Sequence, residues 1–252
     1  MELSSLTASF RAGCNVLVIG SNGGIGQATA QLLATQNNIG KVFTCSRHDS
    51  SILRGVEKHF YLDLESENSI VEVSEEIKKI IDYLDLVLVA TGVLKSGSKI
   101  SPEKNLESLN MSQLECSFRV NSIGPALLIK HFYPILNSKS KSVFAAISAR
   151  VGSTTDNRLG GWYGYRASKA ALNMFIKTAA VELKRKNSEI ICVSLHPGTV
   201  DTPLSAPFQS SVIQKQMVSA ADAAQNLMQV INQLNSSDSG GFFAWDGKKI
   251  PY

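Results

Sequence analysis

The feature that most constrains the fold is a regular alternation of short apolar runs with longer amphipathic stretches along the whole chain. A short apolar run bounded by turn residues predicts a strand that is buried on both faces. A stretch such as Ile70, Val73 and Ile77, with apolar residues at helical spacing, predicts a helix. We predict strands at 14–20, 41–46, 59–63, 85–90, 142–148, 189–195 and 241–245, and helices at 24–35, 69–83, 112–136, 164–185 and 219–234.

Buried strands that alternate with helices form a parallel sheet that is covered on both faces. We therefore predict an α/β fold with a seven-stranded parallel sheet. The chain has 252 residues, of which 44% are hydrophobic, and this length suits one large domain better than two. No Pro/Gly-rich linker and no internal repeat divides it, so residues 1–252 are predicted to form a single domain. Residues 199–215 have no clear periodicity, which is typical of an active-site lid.

A glycine-rich turn follows the first predicted strand and leads into the first predicted helix. Gly20, Gly24 and Gly26 have the spacing G-x-x-x-G-x-G, with Asn22 and Ile25 between them. The first glycine permits a tight turn, and the others let the backbone approach a pyrophosphate and pack the helix on the sheet. The free N–H groups of the helix N-terminus attract phosphate. The turn predicts a Rossmann-type domain, and we assign all five residues to dinucleotide binding.

The end of the second predicted strand bears on the choice of dinucleotide. An acidic residue at this place in a Rossmann domain binds the ribose 2′-hydroxyl of NAD, whereas an arginine accommodates the 2′-phosphate of NADP. Here the strand ends in Ser46-Arg47-His48, and Asp49 comes two residues after Arg47. Arg47 therefore favours NADP(H), with NAD(H) as the alternative.

A second motif, Tyr165-Arg-Ala-Ser-Lys169, has the pattern Y-x-x-x-K. After a glycine-rich turn in a chain of this length, it resembles the short-chain dehydrogenase/reductase family. Further landmarks of that family follow in order along nearly the whole chain. They are Asp63-Leu64 for the adenine, Ala90-Thr91-Gly92, the helix asparagine Asn121, and the segment Pro197-Gly198-Thr199-Val200-Asp201-Thr202. The resemblance implies that Asp63, Leu64, Ala90, Thr91, Gly92, Pro197, Gly198, Val200 and Thr202 bind the cofactor.

Within the family, residues 148–165 and the ending Gly241-Phe-Phe-Ala-Trp-Asp-Gly are most similar to the C-factor and sniffer-like carbonyl reductases. One branch of that group is linked to cell–cell signalling and another to carbonyl reduction. The sequence departs from the family pattern at Val89-Ala90, which replace the usual pair of asparagines. A hydrogen bond that stabilises the central sheet is therefore expected to be missing.

The chemistry of the motif residues fits hydride transfer. Tyr165 and Lys169 are one helical turn apart and share a face. A nearby ammonium lowers the pKa of a tyrosine, and we expect Lys169 to make Tyr165 a general acid or base in this way. The resemblance implies that Lys169 also contacts the cofactor ribose, and that Asn121 holds a water that joins Lys169 to solvent. The resemblance further implies a serine that orients the carbonyl oxygen, for which Ser148 is the nearest hydroxyl and Ser153 is the alternative.

Other polar and aromatic residues near the motif have simpler interpretations. Trp162 is more typical of a packing or interface aromatic than of a substrate wall, and His196 is expected to be structural. Arg150 and Arg158 lie in the long connection before Tyr165, where either could meet an acidic substrate.

Composition excludes several other classes of function. The formal charge of +4 is mild and the basic residues are scattered, so we predict no nucleic-acid partner. No apolar run approaches the roughly 20 residues needed to span a bilayer, and residues 1–11 lack a signal-peptide pattern. We therefore expect no membrane partner and a cytoplasmic protein. The four cysteines, at Cys14, Cys45, Cys116 and Cys192, have no metal-ligand spacing, so no metal site is predicted.

Two functions compete. The first is an NADP(H)-dependent oxidoreductase that reduces a small carbonyl compound or oxidises an alcohol. The alternative is a signalling or regulatory protein of C-factor type that binds the dinucleotide with little or no turnover. The Tyr165/Lys169 pair favours the enzyme, because a pure sensor needs no acid. The resemblance also implies a homodimer or homotetramer.

Overall fold

The strands form because apolar, often β-branched runs are bounded by turn residues. In the computed structural model, which describes residues 6–48, 53–95, 97, 100–211 and 217–252, nine strands follow one another along the chain. They are β1 (Cys14–Ile19), β2 (Ile39–Ser46), β3 (Lys58–Tyr61), β4 (Leu86–Val89), β5 (Ser142–Ile147), β6 (Ile190–His196), β7 (Thr199–Val200), β8 (Met217–Val218) and β9 (Phe242–Ala244).

Seven of these strands form one parallel sheet in the order β3-β2-β1-β4-β5-β6-β9. The predicted seven-stranded sheet is therefore confirmed. The chain moves outward from β1 to β3 and then returns to place β4 on the other side of β1. This reversal creates a topological switch point, where ligands bind at the carboxyl ends of the strands in open α/β sheets.

Within the described residues, six α-helices cover the two faces of the sheet. They are α1 (Gly24–Ala34), α2 (Glu67–Lys78), α3 (Met111–Phe118), α4 (Gly124–Phe132), α5 (Tyr163–Lys186) and α6 (Ala220–Gln233). Alternate side chains of each strand enter opposite cores: Leu17 and Ile19 pack with α2, α4 and α5, whereas Val16 and Val18 pack with α1 and α6. Apolar burial on both sides thus fixes the register in which the carboxyl ends align.

The structure corrects two predictions of secondary structure. The long helix predicted at 112–136 is divided into α3 and α4 by a π-helical turn at Arg119–Ile123, and Pro125 lies in the first turn of α4. The stretch 199–215 contains β7, which pairs in parallel with β8, and a 3₁₀ turn at Ala206–Ser211. Residues 212–215 of that stretch, the first five residues of the chain and Asp49 lie outside the described residues.

Candidate active site

A cleft crosses the carboxyl edge of the sheet at the switch point between β1 and β4. It consists of a first cavity of about 500 Å³ and a second cavity of about 520 Å³. Both cavities are lined by the glycine turn and by the segment after β4, namely by Asn22, Gly23, Ala90, Thr91 and Gly92. The two cavities therefore meet at the place where the sequence predicts a pyrophosphate.

The glycine turn is shaped by close backbone contacts. Gly20 has a φ of +90°, and a Cβ on it would lie 2.9 Å from the carbonyl oxygen of Ala90. A Cβ on Gly26 would lie 2.2 Å from the carbonyl oxygen of Gly20, so Gly26 packs behind the turn and does not line the cavities. Gly24 and Ile25 line the first cavity. Glycine at 26 thus serves the approach of the helix to the strand.

The N-terminus of α1 is open to an anion. Its N-cap residue, Gly23, gives no side-chain cap, and no acidic residue lies in the first turn. The free N–H groups and the positive end of the helix dipole therefore face the cleft without a competing carboxylate. This arrangement fits a dinucleotide phosphate.

The second cavity contains the residues predicted to select the nucleotide. Arg47 is exposed at the end of β2, and Asp63 and Leu64 follow β3. The Asp63 carboxylate accepts a hydrogen bond from the backbone N–H of Glu65 at 3.1 Å, which fixes the local turn. Arg47 also lines this cavity, and the residues present fit the nucleotide of a nicotinamide dinucleotide.

The start of α5 brings Tyr165 and Lys169 to the first cavity. Lys169 is 2% exposed, and its Nζ donates a hydrogen bond to the carbonyl oxygen of Ile147 at 2.8 Å. Nζ lies 5.9 Å from the centroid of the Tyr165 ring. Burial lowers the pKa of Lys169 to about 8.

The expected lowering of the Tyr165 pKa by Lys169 is wrong for the protein alone. Burial raises the pKa of Tyr165 to about 12, because a phenolate loses hydration in the cleft. The Lys169 ammonium is bonded to Ile147 and does not offset this effect. Tyr165 is thus a neutral phenol at neutral pH, which is the form that can donate a proton.

The two candidate serines differ in their contacts. Ser148 is 2% exposed, lines the first cavity beside Tyr165, and its Oγ has no hydrogen-bond partner among the described residues. Ser153 does not line either cavity, and its Oγ accepts a hydrogen bond from the backbone N–H of Asp156 at 3.1 Å. A buried hydroxyl without a partner costs free energy unless a ligand supplies one, so the geometry favours Ser148.

Asn121 lies in the π-helical turn and is fully buried. Its Oδ1 accepts from the backbone N–H of Val93 at 2.8 Å, and its Nδ2 donates to Val93 O at 2.9 Å and to Ser168 Oγ at 3.1 Å. The side chain therefore holds the segment after β4, whose residue Ala90 is also anchored by an N–H donated to Ile19 O at 2.7 Å. The water-holding role of Asn121 stays a prediction.

The remaining predicted residues close the cleft. Pro197, Gly198, Val200 and Thr202 follow β6 and all line the first cavity. Thr91 lines both cavities, and its buried Oγ1, like Ser148 Oγ, has no partner in the described part of the chain. Two orphaned hydroxyls and an open helix N-terminus along one cleft are the features that a bound dinucleotide would complete.

Sequence reasoning missed the aromatic lining of the first cavity. Trp162, predicted to be a packing or interface residue, lines this cavity together with Phe208. Their ring centroids are 5.0 Å apart. His196 also lines it, with a buried Nδ1 that lacks a partner among the described residues, and burial lowers the pKa of His196 to about 4. The Trp162 ring reaches this cavity because of its backbone conformation, which the sequence does not indicate.

The described residues contain no cluster of three or more His, Cys, Asp or Glu side chains that could hold a metal. No helix among them is long and apolar enough to cross a membrane. Cys14, Cys45 and Cys192 are buried and all four cysteines are free thiols.

Known proteins resemble this chain in fold and in sequence. The C-signal protein of Myxococcus xanthus is 31% identical over 147 residues, which is 58% of this chain and 83% of that protein. The NADPH-bound carbonyl reductase from chicken fatty liver superposes with a TM-score of 0.82 at 23% identity, over 99% of both chains. Carbonyl reductase Sniffer of D. melanogaster gives a TM-score of 0.82 at 21% identity, over 96% of this chain and 100% of that one.

The two solved structures establish the fold, and the predicted resemblance to the C-factor and sniffer-like group is confirmed. The sequence profile of the short chain dehydrogenases matches residues 14–212, which span the glycine turn, Tyr165 and Lys169. The chain therefore belongs to the short chain dehydrogenase family.

Proposed function

We propose that this protein is an NADP(H)-dependent carbonyl reductase, which also oxidises the corresponding alcohol in reverse. The observation that carries the proposal is the first cavity itself. There an unpartnered Ser148 hydroxyl, a neutral Tyr165 phenol and the buried Lys169 line one space beside an open helix N-terminus. A pure dinucleotide sensor would have no use for a proton donor at that place.

Each residue has a distinct part in the proposed reaction. The nicotinamide cofactor, when bound, supplies the hydride. Ser148 donates a hydrogen bond to the substrate oxygen and holds it, which stabilises the negative charge that develops there. Tyr165 donates its phenolic proton to that oxygen as general acid. Lys169, held by Ile147 O, keeps a positive charge beside the tyrosine, where the family resemblance implies that it contacts the cofactor ribose.

The experiment that tests this proposal is a panel of carbonyl compounds followed by the oxidation of NADPH. We expect turnover of at least one aldehyde or ketone and its loss in Tyr165→Phe. If no carbonyl in a broad panel is reduced, while NADPH still binds, the protein is not a carbonyl reductase.

The proposed preference for NADP(H) rests on Arg47, whose positive charge would pair with a 2′-phosphate. NADPH should raise the melting temperature more than NADH at equal concentration, because a ligand that binds only the native state stabilises it. Arg47→Asp should reverse that order. Equal shifts in the wild type would contradict the preference.

A second candidate is a signalling protein that binds the dinucleotide as a ligand. The similarity to the C-signal protein favours it. The two candidates differ in whether Tyr165 is needed for the biological activity.

The proposal extends to the assembly and the location of the protein. The family resemblance supports a homodimer or homotetramer that acts on a small-molecule substrate. Buried free thiols at Cys14, Cys45 and Cys192 suit a reducing compartment and support a cytoplasmic location.

A further inference from the structure

The turn that leads into α5 has an unusual backbone. Gly160, Gly161 and Trp162 have φ values of 63°, 64° and 51°, so three consecutive residues are left-handed. Trp162 is the one non-glycine residue with positive φ in the described part of the chain. A bulky residue in this region costs of order 1–3 kcal/mol and persists only when its surroundings hold it there.

Glu103, from the segment after β4, holds this turn from one side. Its carbonyl oxygen accepts the Trp162 N–H at 2.6 Å, and its Oε2 accepts the Gly164 N–H at 3.1 Å. Glu103 is 4% exposed, so its carboxylate is committed to this position. The backbone carbonyl and the buried carboxylate of Glu103 therefore hold the chain at Trp162 and at Gly164, on both sides of the Trp162 left-handed φ.

Arg166 holds the turn from the other side. Its Nε donates to the carbonyl oxygens of Gly160 at 3.1 Å and Gly161 at 2.9 Å, and its Nη1 donates to Val151 O at 3.4 Å. The guanidinium thus ties the turn to the loop after β5. These contacts fix the direction in which the Trp162 side chain leaves the backbone.

The clamped turn directs the Trp162 ring into the first cavity. The ring is 5.0 Å from the Phe208 ring at 59°, and 6.3 Å from the Tyr165 ring at 77°, centroid to centroid. Val151 and Leu204 line the same cavity. Tilted and edge-to-face arrangements at these distances are favourable, and they leave an apolar surface beside the proton donor.

The charges around the first cavity do not favour an anionic substrate. Among the described residues its lining includes two side chains that are cationic at neutral pH, Arg150 and Lys169. Arg150 Nη1 is bonded to Asp156 Oδ2 at 2.9 Å, and Lys169 Nζ is bonded to Ile147 O. Asp156 therefore offsets the charge of Arg150 at this half-exposed place. The rings of Trp162 and Phe208 carry no charge, so a substrate carboxylate that packed on them would be unpaired there and would lose hydration.

We propose that Trp162 is a specificity-determining residue, which together with Phe208 selects uncharged carbonyl compounds that carry a flat apolar substituent. The substituent packs on the Trp162 ring while the carbonyl oxygen points to Tyr165 and Ser148. This inference rests on the proposed carbonyl reduction and names the class of substrate for that same site.

The test compares three carbonyl substrates that differ in one feature at a time. Methyl benzoylformate has a phenyl ring and no charge. Benzoylformate has the same ring and a carboxylate in place of the ester, and methyl pyruvate has the ester but a methyl group in place of the ring. We expect kcat/KM for methyl benzoylformate to exceed that for each of the others by roughly tenfold or more, which is the usual scale of discrimination by an apolar pocket.

The variants are chosen so that the backbone survives. Trp162→Gly removes the ring and tolerates the left-handed φ, and Phe208→Ala removes the second ring. Each should lower the ratio of kcat/KM for methyl benzoylformate to kcat/KM for methyl pyruvate by roughly tenfold, because any general loss of turnover affects both substrates and cancels in the ratio. Leu159→Ala is the matched control, because Leu159 lies in the same loop, is 93% exposed and does not line the cavity. It should leave the ratio unchanged.

The outcomes separate this inference from the proposed function. Two results would show that the Trp162 and Phe208 rings do not select the substrate, although carbonyl reduction stands. Either benzoylformate or methyl pyruvate is the best substrate, or Trp162→Gly keeps the wild-type ratio of kcat/KM values. If the wild type reduces none of the three, calorimetry with the NADP⁺-loaded protein decides. If the wild type binds methyl benzoylformate and Trp162→Gly does not, the selective role of the Trp162 ring is supported even without turnover. If the wild type does not bind it, the inference is overturned.

Discussion

At the scale of single residues, the site depends on groups that the fold buries and leaves without partners. Ser148 Oγ and Thr91 Oγ1 are both in this state at the cleft. In a protein interior such groups are normally paired, because each unpaired one costs of order 1–3 kcal/mol. Two such hydroxyls along one cleft indicate a surface that binds a polar ligand.

The choice between the two serines gives a direct prediction. Ser148→Ala should lower turnover by roughly 10²-fold or more, because the hydroxyl that orients the carbonyl oxygen is lost. Ser153→Ala should cost little, since its Oγ is occupied by the Asp156 N–H. Steady-state kinetics of both variants checks this, and the opposite pattern would transfer the role to Ser153.

The protonation state of Tyr165 predicts different pH profiles for the two directions of the reaction. Burial raises the pKa of Tyr165 to about 12, so its acid form persists through neutral and moderately alkaline pH. Carbonyl reduction uses that acid form and should not gain from rising pH, whereas alcohol oxidation needs the phenolate. Oxidation should therefore rise by about tenfold per pH unit while Tyr165 remains largely protonated.

The measurement is kcat/KM for carbonyl reduction and for alcohol oxidation, from neutral to moderately alkaline pH, with the cofactor at saturation. Lys169, whose pKa burial lowers to about 8, should add a decline in reduction above that pH as its charge is lost. Reduction that increases with pH in parallel with oxidation would contradict the assignment of Tyr165 as the acid.

The motif residues at this scale could be predicted from sequence, but their electrostatics could not. The spacing of Tyr165 and Lys169 indicated a shared helix face, and both line the same cavity. The ammonium, however, is bonded to Ile147 O, a partner that is distant in the chain. Trp162 was misjudged for a similar reason, because its left-handed backbone depends on Glu103 and Arg166.

At the scale of elements, a helix differs from its prediction where tertiary contacts override the local sequence pattern. Apolar periodicity predicted one helix at 112–136, but the π-helical turn at Arg119–Ile123 interrupts it. A π-helical turn inserts one residue into the helix and barely changes the hydrophobic pattern, so the sequence does not reveal it. Such turns are frequent at functional sites. Here the turn contains Asn121, whose amide holds Val93.

The N-terminus of α5 gives the prediction at this scale. Its N-cap residue, Trp162, provides no side-chain cap, and the Glu103 carboxylate accepts the Gly164 N–H instead. Glu103→Ala should lower the free energy of unfolding by about 1–3 kcal/mol, because a buried donor loses its acceptor. Turnover should fall as well, since Tyr165 lies in the first turn of this helix.

Glu103→Gln is the control, because an amide oxygen can still accept from Gly164. It should restore most of the stability and most of the turnover of the wild type, as measured by urea unfolding and kinetics. If Glu103→Ala unfolds like the wild type, the carboxylate does not support the helix start.

At the scale of the whole molecule, the topology does the positioning. Seven parallel strands with both faces covered place every carboxyl end at one edge, and the switch between β1 and β4 opens the cleft there. The alternation of apolar runs and helices was sufficient to predict this sheet. The strands β7 and β8 and the 3₁₀ turn at Ala206–Ser211 were less predictable, because two-residue strands are too short to show a periodic pattern and form by pairing with each other.

Whether the whole molecule acts as an enzyme or as a sensor can be decided with two variants that remove different parts of the cleft. Tyr165→Phe removes the acidic hydroxyl and keeps the ring against Trp162, so NADPH binding and packing should survive. Gly24→Val should block the dinucleotide, because a side chain at the N-terminus of α1 enters the cavity, where a Cβ would already lie 2.7 Å from Thr202 Cγ2. Circular dichroism and calorimetry check that both variants fold and that only the first binds NADPH.

For an enzyme, Tyr165→Phe should lose activity by at least the roughly 10²–10⁴-fold that follows loss of a general acid, and Gly24→Val should be inactive as well. For a dinucleotide-dependent signalling protein, the biological activity of a strain that carries Tyr165→Phe should persist, and that of Gly24→Val should vanish. A Tyr165→Phe protein with full reductase activity would remove the proposed mechanism, because no other described residue in the cleft has been assigned the proton.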